Sequence, residues 1–264
     1  MAASPELTPR ERIVTALSTG LERARTPILV VLGVAIVVVI AFAIYSQVSN
    51  ARAEKAAGLA ATLQTDYSTW TSETDAKKKD ALHKSLIAQI DTILKKYPRS
   101  YGAQRALFIR ADIAFHDKNW KVAETTYAEL ASRFPSSYLA PVSLINAAAA
   151  AENAKDIKQA IALDKKVLNY KGIVAPEVPE ALFSLGRLYE TSGDTKEAKT
   201  YYNELINNYP SSGWTNLAQD RIIYLAAKAN PSGTTTGASG QTGAQGQAGA
   251  NGQSSAAGAP KGKP

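Results

Sequence analysis

The sequence contains no cysteine, only two histidines and a single methionine in 264 residues. Without cysteine there is no disulfide framework, no thiolate metal site and no thiol on which to hang a lipid anchor. Neither histidine, His83 nor His116, has a second His, Asp or Glu at the helical spacing of a zinc hydrolase with a general base between. A nucleophile elbow and a Walker-type phosphate loop are both missing. Paired acids such as Asp75 with Asp80, or Glu124 with Glu129, lie at spacings that read as solvated helix surface. The expectation from these absences is a protein that is not an enzyme, with no metal, no cofactor and no small-molecule substrate.

Charge of one sign is not concentrated anywhere in the chain. The net +7 divides into a leader with Arg10, Arg12, Arg23 and Arg25, a tail with Lys261 and Lys263, and a long middle region of interspersed signs. A nucleic-acid reader gathers its cations on one surface, so nucleic acid is excluded from the expected partners.

What is present is a repeat. The stretch from Leu182 to Pro210 places Leu182, Leu185-Gly186, Tyr189, Ala198, Tyr202 and Pro210 in the order and spacing of the tetratricopeptide signature. In that pattern two antiparallel helices approach through small residues, here Gly186 and Ala198, and large residues fill the volume beside them. The same anchors recur as Ala123, Ala160 and Ala198, as Leu107, Leu144 and Leu182, and as Leu130, Val167 and Leu205. Asn119, Asp156 and Asp194 stand in phase as N-caps, with Gln159 and Glu197 three residues after the last two, the spacing of a capping box. Aromatic-Pro-x-Ser stops at Tyr97, Phe134 and Tyr209 end the second helices, and a degenerate stop falls near Gly172. Repeats are predicted over Tyr101 to Phe134, Tyr138 to Tyr170 and Val178 to Tyr209, closed by a capping helix from Trp214 to Ala229.

The predicted fold class is therefore all-α, a tetratricopeptide-like solenoid of helical hairpins preceded by one N-terminal transmembrane helix and followed by a disordered tail. Residues 1–26 form a polar leader in which Pro5 and Pro9 discourage early order. Ile28 to Ile44 is an uninterrupted apolar run, long enough to span a bilayer core, and Pro27 sits where a first helical turn tolerates it. Residues 27–45 are accordingly read as an uncleaved signal anchor. Four Arg precede the run and only Arg52 and Lys55 follow closely, which keeps the N-terminus in the cytoplasm and sends the rest of the chain across. Residues 46–97 supply an Ala-rich linker helix and a further helix capped by Thr74 or Asp75. Residues 98–229 hold the repeats, and residues 230–264, with no large apolar side chain, are read as disordered.

In the tetratricopeptide family the first helix of each pair lines a concave protein-binding surface. Carried over to this sequence, the resemblance places Arg105, Phe108, Asp112 and Phe115 there from one repeat, Ile145 and Glu152 from the next, and Phe183, Arg187 and Glu190 from the last. Phenylalanines and Ile145 would form an apolar centre edged by charges, suited to an amphipathic peptide. The same aromatics also suit a core covered by the Ser46 to Trp70 helix, and both readings stay open at this point.

The whole layout, leader, signal anchor, Ala-rich helix and short repeat stack, resembles the bacterial ancillary subunit of the Sec translocon, the YfgM-like family. Tyr101-Gly102-Ala103, Ala106-Leu107, Ala111, Asp117-Lys118-Asn119 and Ala123 carry the local likeness. Phe134 to Pro141 is more similar to envelope repeat proteins of the division-coordinator and outer-membrane assembly type. The first resemblance implies a chaperone-linked inner-membrane protein with a periplasmic domain, whose partners are translocon subunits, periplasmic chaperones and client polypeptides. The second implies an envelope or cell-division scaffold.

Overall fold

The computed structural model describes residues 8–172 and 175–229. Among these there are nine helices and no strand: α1 (Pro9–Ser72), α2 (Ala76–Lys96), α3 (Tyr101–His116), α4 (Trp120–Arg133), α5 (Leu139–Asn153), α6 (Ile157–Leu168), α7 (Val178–Thr191), α8 (Thr195–Asn208) and α9 (Gly213–Ala229). The chain divides into two units, Met1–Ile223 and Tyr224–Pro264; residues 224–229 of the second continue the helix α9. The expected tail of residues 230–264 lies outside the described residues.

α1 is a single helix of 64 residues, about 96 Å long at 1.5 Å per residue. It departs from the sequence reading at both prolines. Pro9 begins the helix rather than preventing order, because a first-turn residue has no intrahelical partner for its N–H. Pro27 lies in the interior, not at a start. The helix passes through it, leaving one carbonyl without its usual donor, a loss that long membrane-type helices absorb. Residues 29–45 are exposed except for their helical bonds, and Leu29–Ser72 contains the stretch long and apolar enough to cross a membrane. Beyond it the helix acquires a buried stripe at Ala56, Ala60, Leu63 and Trp70 and becomes the first helix of the stack.

The stack is built of hairpins. α2 folds back on α1, and then α3 with α4, α5 with α6 and α7 with α8 pair in turn. First helices also meet across repeats, α1 with α3 and α3 with α5. α1 is thus the neighbour of α3 in the row of first helices. One cluster, Leu63, Trp70, Leu86, Ile90, Ile93, Ala106, Ile109 and Ile113, fixes the anchor helix to the first full repeat. A second runs from α3 to α7 through the alanines of α5, whose short side chains let α4 and α6 approach closely.

Helix ends follow local chemistry. The carboxylate of Asp75 accepts from Lys78 N at 2.9 Å, Ser100 Oγ from Ala103 N at 3.1 Å, and Asp156 and Asp194 from Gln159 N and Glu197 N at 3.0 Å each. Asn119 makes no side-chain cap bond. The capping boxes are half formed, since the N–H groups of Asp156 and Asp194 already bond Ala151 O and Tyr189 O at 2.9 Å. The turns between paired helices each contain a left-handed residue, Lys118 (φ 60°), Lys155 (φ 66°) and Gly193 (φ 85°), at equivalent places. At the degenerate stop, Tyr170 Oη donates to Pro135 O at 2.7 Å. A Cβ on Gly172 would sit 1.9 Å from that same oxygen, so only glycine passes there.

Candidate protein-binding face

The nine residues expected to line the face all come from first helices, and the structure shows how each is engaged. On α3, Arg105 Nη2 bonds Gln64 Oε1 of α1. Asp112 accepts a hydrogen bond from Tyr127 Oη and another from Tyr67 of α1. Burial pushes the Asp112 carboxyl up to about 6, against the opposing pull of those two hydroxyls and of the nearby His116 and Arg105. Phe108 meets Tyr127 edge-on at 5.6 Å between centroids, and Phe115 meets Trp120 at 4.9 Å. Both rings are half-buried.

Further along, Ile145 is buried in the core cluster. Glu152 on α5 and Arg187 on α7 form a two-pronged pair whose Nη2–Oε2 limb is 2.6 Å. Phe183 is half-buried between Tyr202, at 5.7 Å, and Trp214, at 5.3 Å. Glu190 accepts from Arg221 Nε at 3.1 Å and from Tyr202 Oη at 3.2 Å.

One relationship is common to these contacts. Every charged residue of the expected face is tied to another helix, so that Gln64 with Arg105, Tyr67 with Asp112, Glu152 with Arg187 and Glu190 with Arg221 cross-link successive first helices. The expected face therefore presents pre-paired charges and three half-buried phenylalanine rings, each already packed against a neighbouring aromatic. Such pairs offer fixed, oriented acceptors and donors, which set the register of a peptide more than they add affinity.

Two acidic residues are buried, one of them, Glu124, against the surface expectation. Glu124 is buried and accepts from Lys121 Nζ at 2.9 Å and from Gln159 Nε2 at 3.0 Å, so it joins α4 to α6 instead of facing solvent. Asp164 on α6 is fully buried and neither of its oxygens makes a hydrogen bond of good geometry, although the Ser184 hydroxyl stands close enough to favour its charged form. Burial pushes it up to about 7, offset in part by the Ser184 hydroxyl and the Arg187 guanidinium and reinforced by Glu152 and Glu180. Register was the available signal: Tyr127, Asp164 and Tyr202 occupy one repeat position, and the middle repeat alone carries a carboxyl where its neighbours carry a ring. Gln64, Tyr67 and Arg221 were invisible to a reading confined to the three regular repeats. Among the described residues no group of three or more His, Asp or Glu is placed to hold a metal ion.

Paired helices, small residues at the crossings and aromatics beside them define a solenoid of the tetratricopeptide type, a class of protein-interaction module. Residues 87–138 and residues 180–212 each match the Tetratricopeptide repeat family. The two matches leave between them the repeat that carries Asp164. A curated relative, a "TPR repeat-containing protein" of Treponema pallidum (strain Nichols), is 33% identical over 116 residues, covering 44% of this chain and 48% of the relative. The chain therefore spans about half the length of the curated relative it matches.

Proposed function

We propose that the chain is a non-catalytic, membrane-anchored adaptor for other proteins. α1 crosses the bacterial inner membrane through residues 28–44, the N-terminus stays in the cytoplasm, and the repeats bind proteins on the periplasmic side. The observation that carries this reading is the continuity of α1, whose apolar stretch passes without a break into the buried stripe Ala56, Ala60, Leu63 and Trp70. A soluble helix has no use for so long an exposed apolar surface. The excess of Arg before the run supports the orientation.

As partner we propose the Sec translocon, with hand-over of emerging polypeptides to periplasmic chaperones across Phe108, Phe115, Phe183 and the charges beside them. The layout of anchor and short stack supports that choice. One observation favours a static envelope or division scaffold instead: the charges of the face are already paired across helices, which stiffens it. Crosslinking the intact protein in its native membrane, with Phe108→Ala plus Phe183→Ala as comparison, separates the two. Attached translocon subunits and nascent secreted chains, reduced in a folded variant, support the adaptor. Division or cell-wall proteins alone, unchanged by the substitutions, move the assignment to the scaffold.

A further inference from the structure

The edge of the stack nearest the bilayer has a character of its own, which follows from the direction of the helices. Contacts between α1 and α3 ascend in both: Ala56 lies against Gly102, Tyr67 against Asp112, and Trp70 against His116 at 5.4 Å between ring centroids. The two helices are parallel, and α3 starts at the membrane end of the stack. α2 runs the other way, with Asp66 bonded to Gln89 at 2.6 Å and Trp70 beside His83 at 6.0 Å. Its last turn, with Lys95 and Lys96, therefore ends at the membrane side. α4 also returns there, because Arg133 Nη2 donates to Pro98 O at 3.0 Å. α5 begins beside α3, with Tyr101 Oη and Tyr138 Oη 3.2 Å apart.

The α2–α3 and α4–α5 loops thus form one edge turned toward the bilayer. It bears Lys95, Lys96, Arg99 and Arg133, with Tyr101 and Tyr138 exposed by 48% and 58%. Glu129, the acid nearest Arg133, is already paired with it at 2.6 Å. The opposite edge is different: it carries Lys77, Lys78 and Lys79 at the start of α2, but acids are interspersed along it, as in Glu73, Asp75 and Asp80, Asp117-Lys118 and Lys155-Asp156.

We propose that this basic, tyrosine-bearing edge docks on the anionic headgroups of the membrane that α1 crosses, an inference that rests on the anchor reading above. Distance permits it. From Ile44 to Ala56, the first fully buried position beyond the apolar run, the helix rises about 18 Å. Roughly 5–7 Å of that lies within the headgroup layer. Membrane helices tilt by about 20°, and α5 lies about two interhelical spacings, some 20 Å, from the α1 axis, so such a tilt lowers its start by about 7 Å. The remaining gap is inside a Debye length of about 8 Å. Tyrosine is enriched at membrane interfaces because its ring is apolar and its tip wet, and cations near the surface are drawn to anionic lipid. Docking would hold the row of first helices at a fixed angle above the bilayer.

The absence of native cysteine makes the test direct. A fluorophore is placed on Ser136→Cys at this edge or on Asn153→Cys at the opposite one. The full chain is reconstituted in vesicles of phosphatidylcholine alone or of equal parts phosphatidylcholine and phosphatidylglycerol, with a headgroup-attached quencher. Docking predicts quenching several-fold stronger at position 136 than at 153 in the anionic vesicles. The difference falls in phosphatidylcholine alone and in a helical K95E/K96E/R99E variant. Equal quenching at both sites in a chain that floats with the vesicles overturns the docking and leaves the anchor standing. Shielding of position 136 only after an acidic protein is added assigns the edge to a protein partner and also overturns it. A chain that does not float with vesicles overturns the anchor and the docking together.

Discussion

The ring of Tyr202 fills the space that Gly186 leaves by having no side chain: a Cβ built at 186 would lie 2.3 Å from Tyr202 Cε1 and 2.5 Å from Cδ1. The ring is fully buried and held at its tip by Glu190, so it has nowhere to retreat. Gly186→Ala is therefore expected to destabilise the last repeat by about 1–3 kcal/mol, the usual cost of overpacking. Urea unfolding of the full chain in detergent measures it. Unchanged stability would mean that the ring moves freely.

A second close approach joins the anchor helix to the stack. A Cβ at Gly102 would meet Ala56 O at 2.6 Å, and the obstacle is backbone, which cannot rotate away. Gly102→Ala should part α1 from α3 near Ala56 while leaving α5 to α8 intact. Hydrogen exchange would show faster exchange at residues 56–63 and 102–109, with α7 and α8 unaffected. Equal protection in both proteins would remove Gly102 as the point of contact.

The turns give an opposite sign. Lys118 and Lys155 hold left-handed backbone that Gly193 holds at no steric cost in the equivalent turn. Lys155→Gly should raise stability by about 0.5–1 kcal/mol, since the strain relieved exceeds the added freedom of the unfolded chain. Lys118→Gly should do the same. A loss of stability in either would show that the lysine stem contributes packing worth more than the strain.

How much of this was legible in the sequence depended on whether a feature was periodic. Leu182, Ala198 and Leu205 have counterparts in register in each repeat, so the hairpins and their order could be read from spacing alone. Asp156 and Asp194 cap as their identity suggests, because an N-cap bond spans three residues of one segment. What resisted reading was anything made between helices far apart in sequence. Glu124 has the spacing of a surface acid and becomes buried only because Gln159 of the next repeat reaches it. The charges of the expected face look free in sequence and are paired in space, Glu152 with Arg187 between repeats and the others through partners in α1 and α9 that carry no repeat signature. Pro27 shows the converse, a local rule outvoted by the helix on either side of it.

Asp164 links the stack to pH. Its carboxyl is fully buried with no hydrogen bond of good geometry, and burial holds it up to about 7, against about 3.9 in an unfolded chain. A raised folded-state value means that the native form binds the proton more tightly, so the stabilisation is complete below about pH 4 and is lost as pH rises through 7. Three units correspond to about 4 kcal/mol as an upper bound, which relaxation and water entry would reduce to about 2. Around it stand the Ser184 hydroxyl and Arg187, which favour the charged form, and Glu152 and Glu180, which oppose it. Asp164→Asn keeps the shape and removes the charge. It should be more stable than the parent at pH 8 by about 2 kcal/mol and no less stable at pH 5. Asp112, held up to about 6, contributes a slope of the same sign at lower pH and remains in the variant. Urea unfolding between pH 4 and 8 should therefore lose its slope between pH 6 and 7 in Asp164→Asn and keep only the Asp112 share between pH 4 and 6. A variant with the parental slope above pH 6 would place the titration elsewhere, with Glu177 and Glu180, both raised by burial at the start of α7, the next groups to replace.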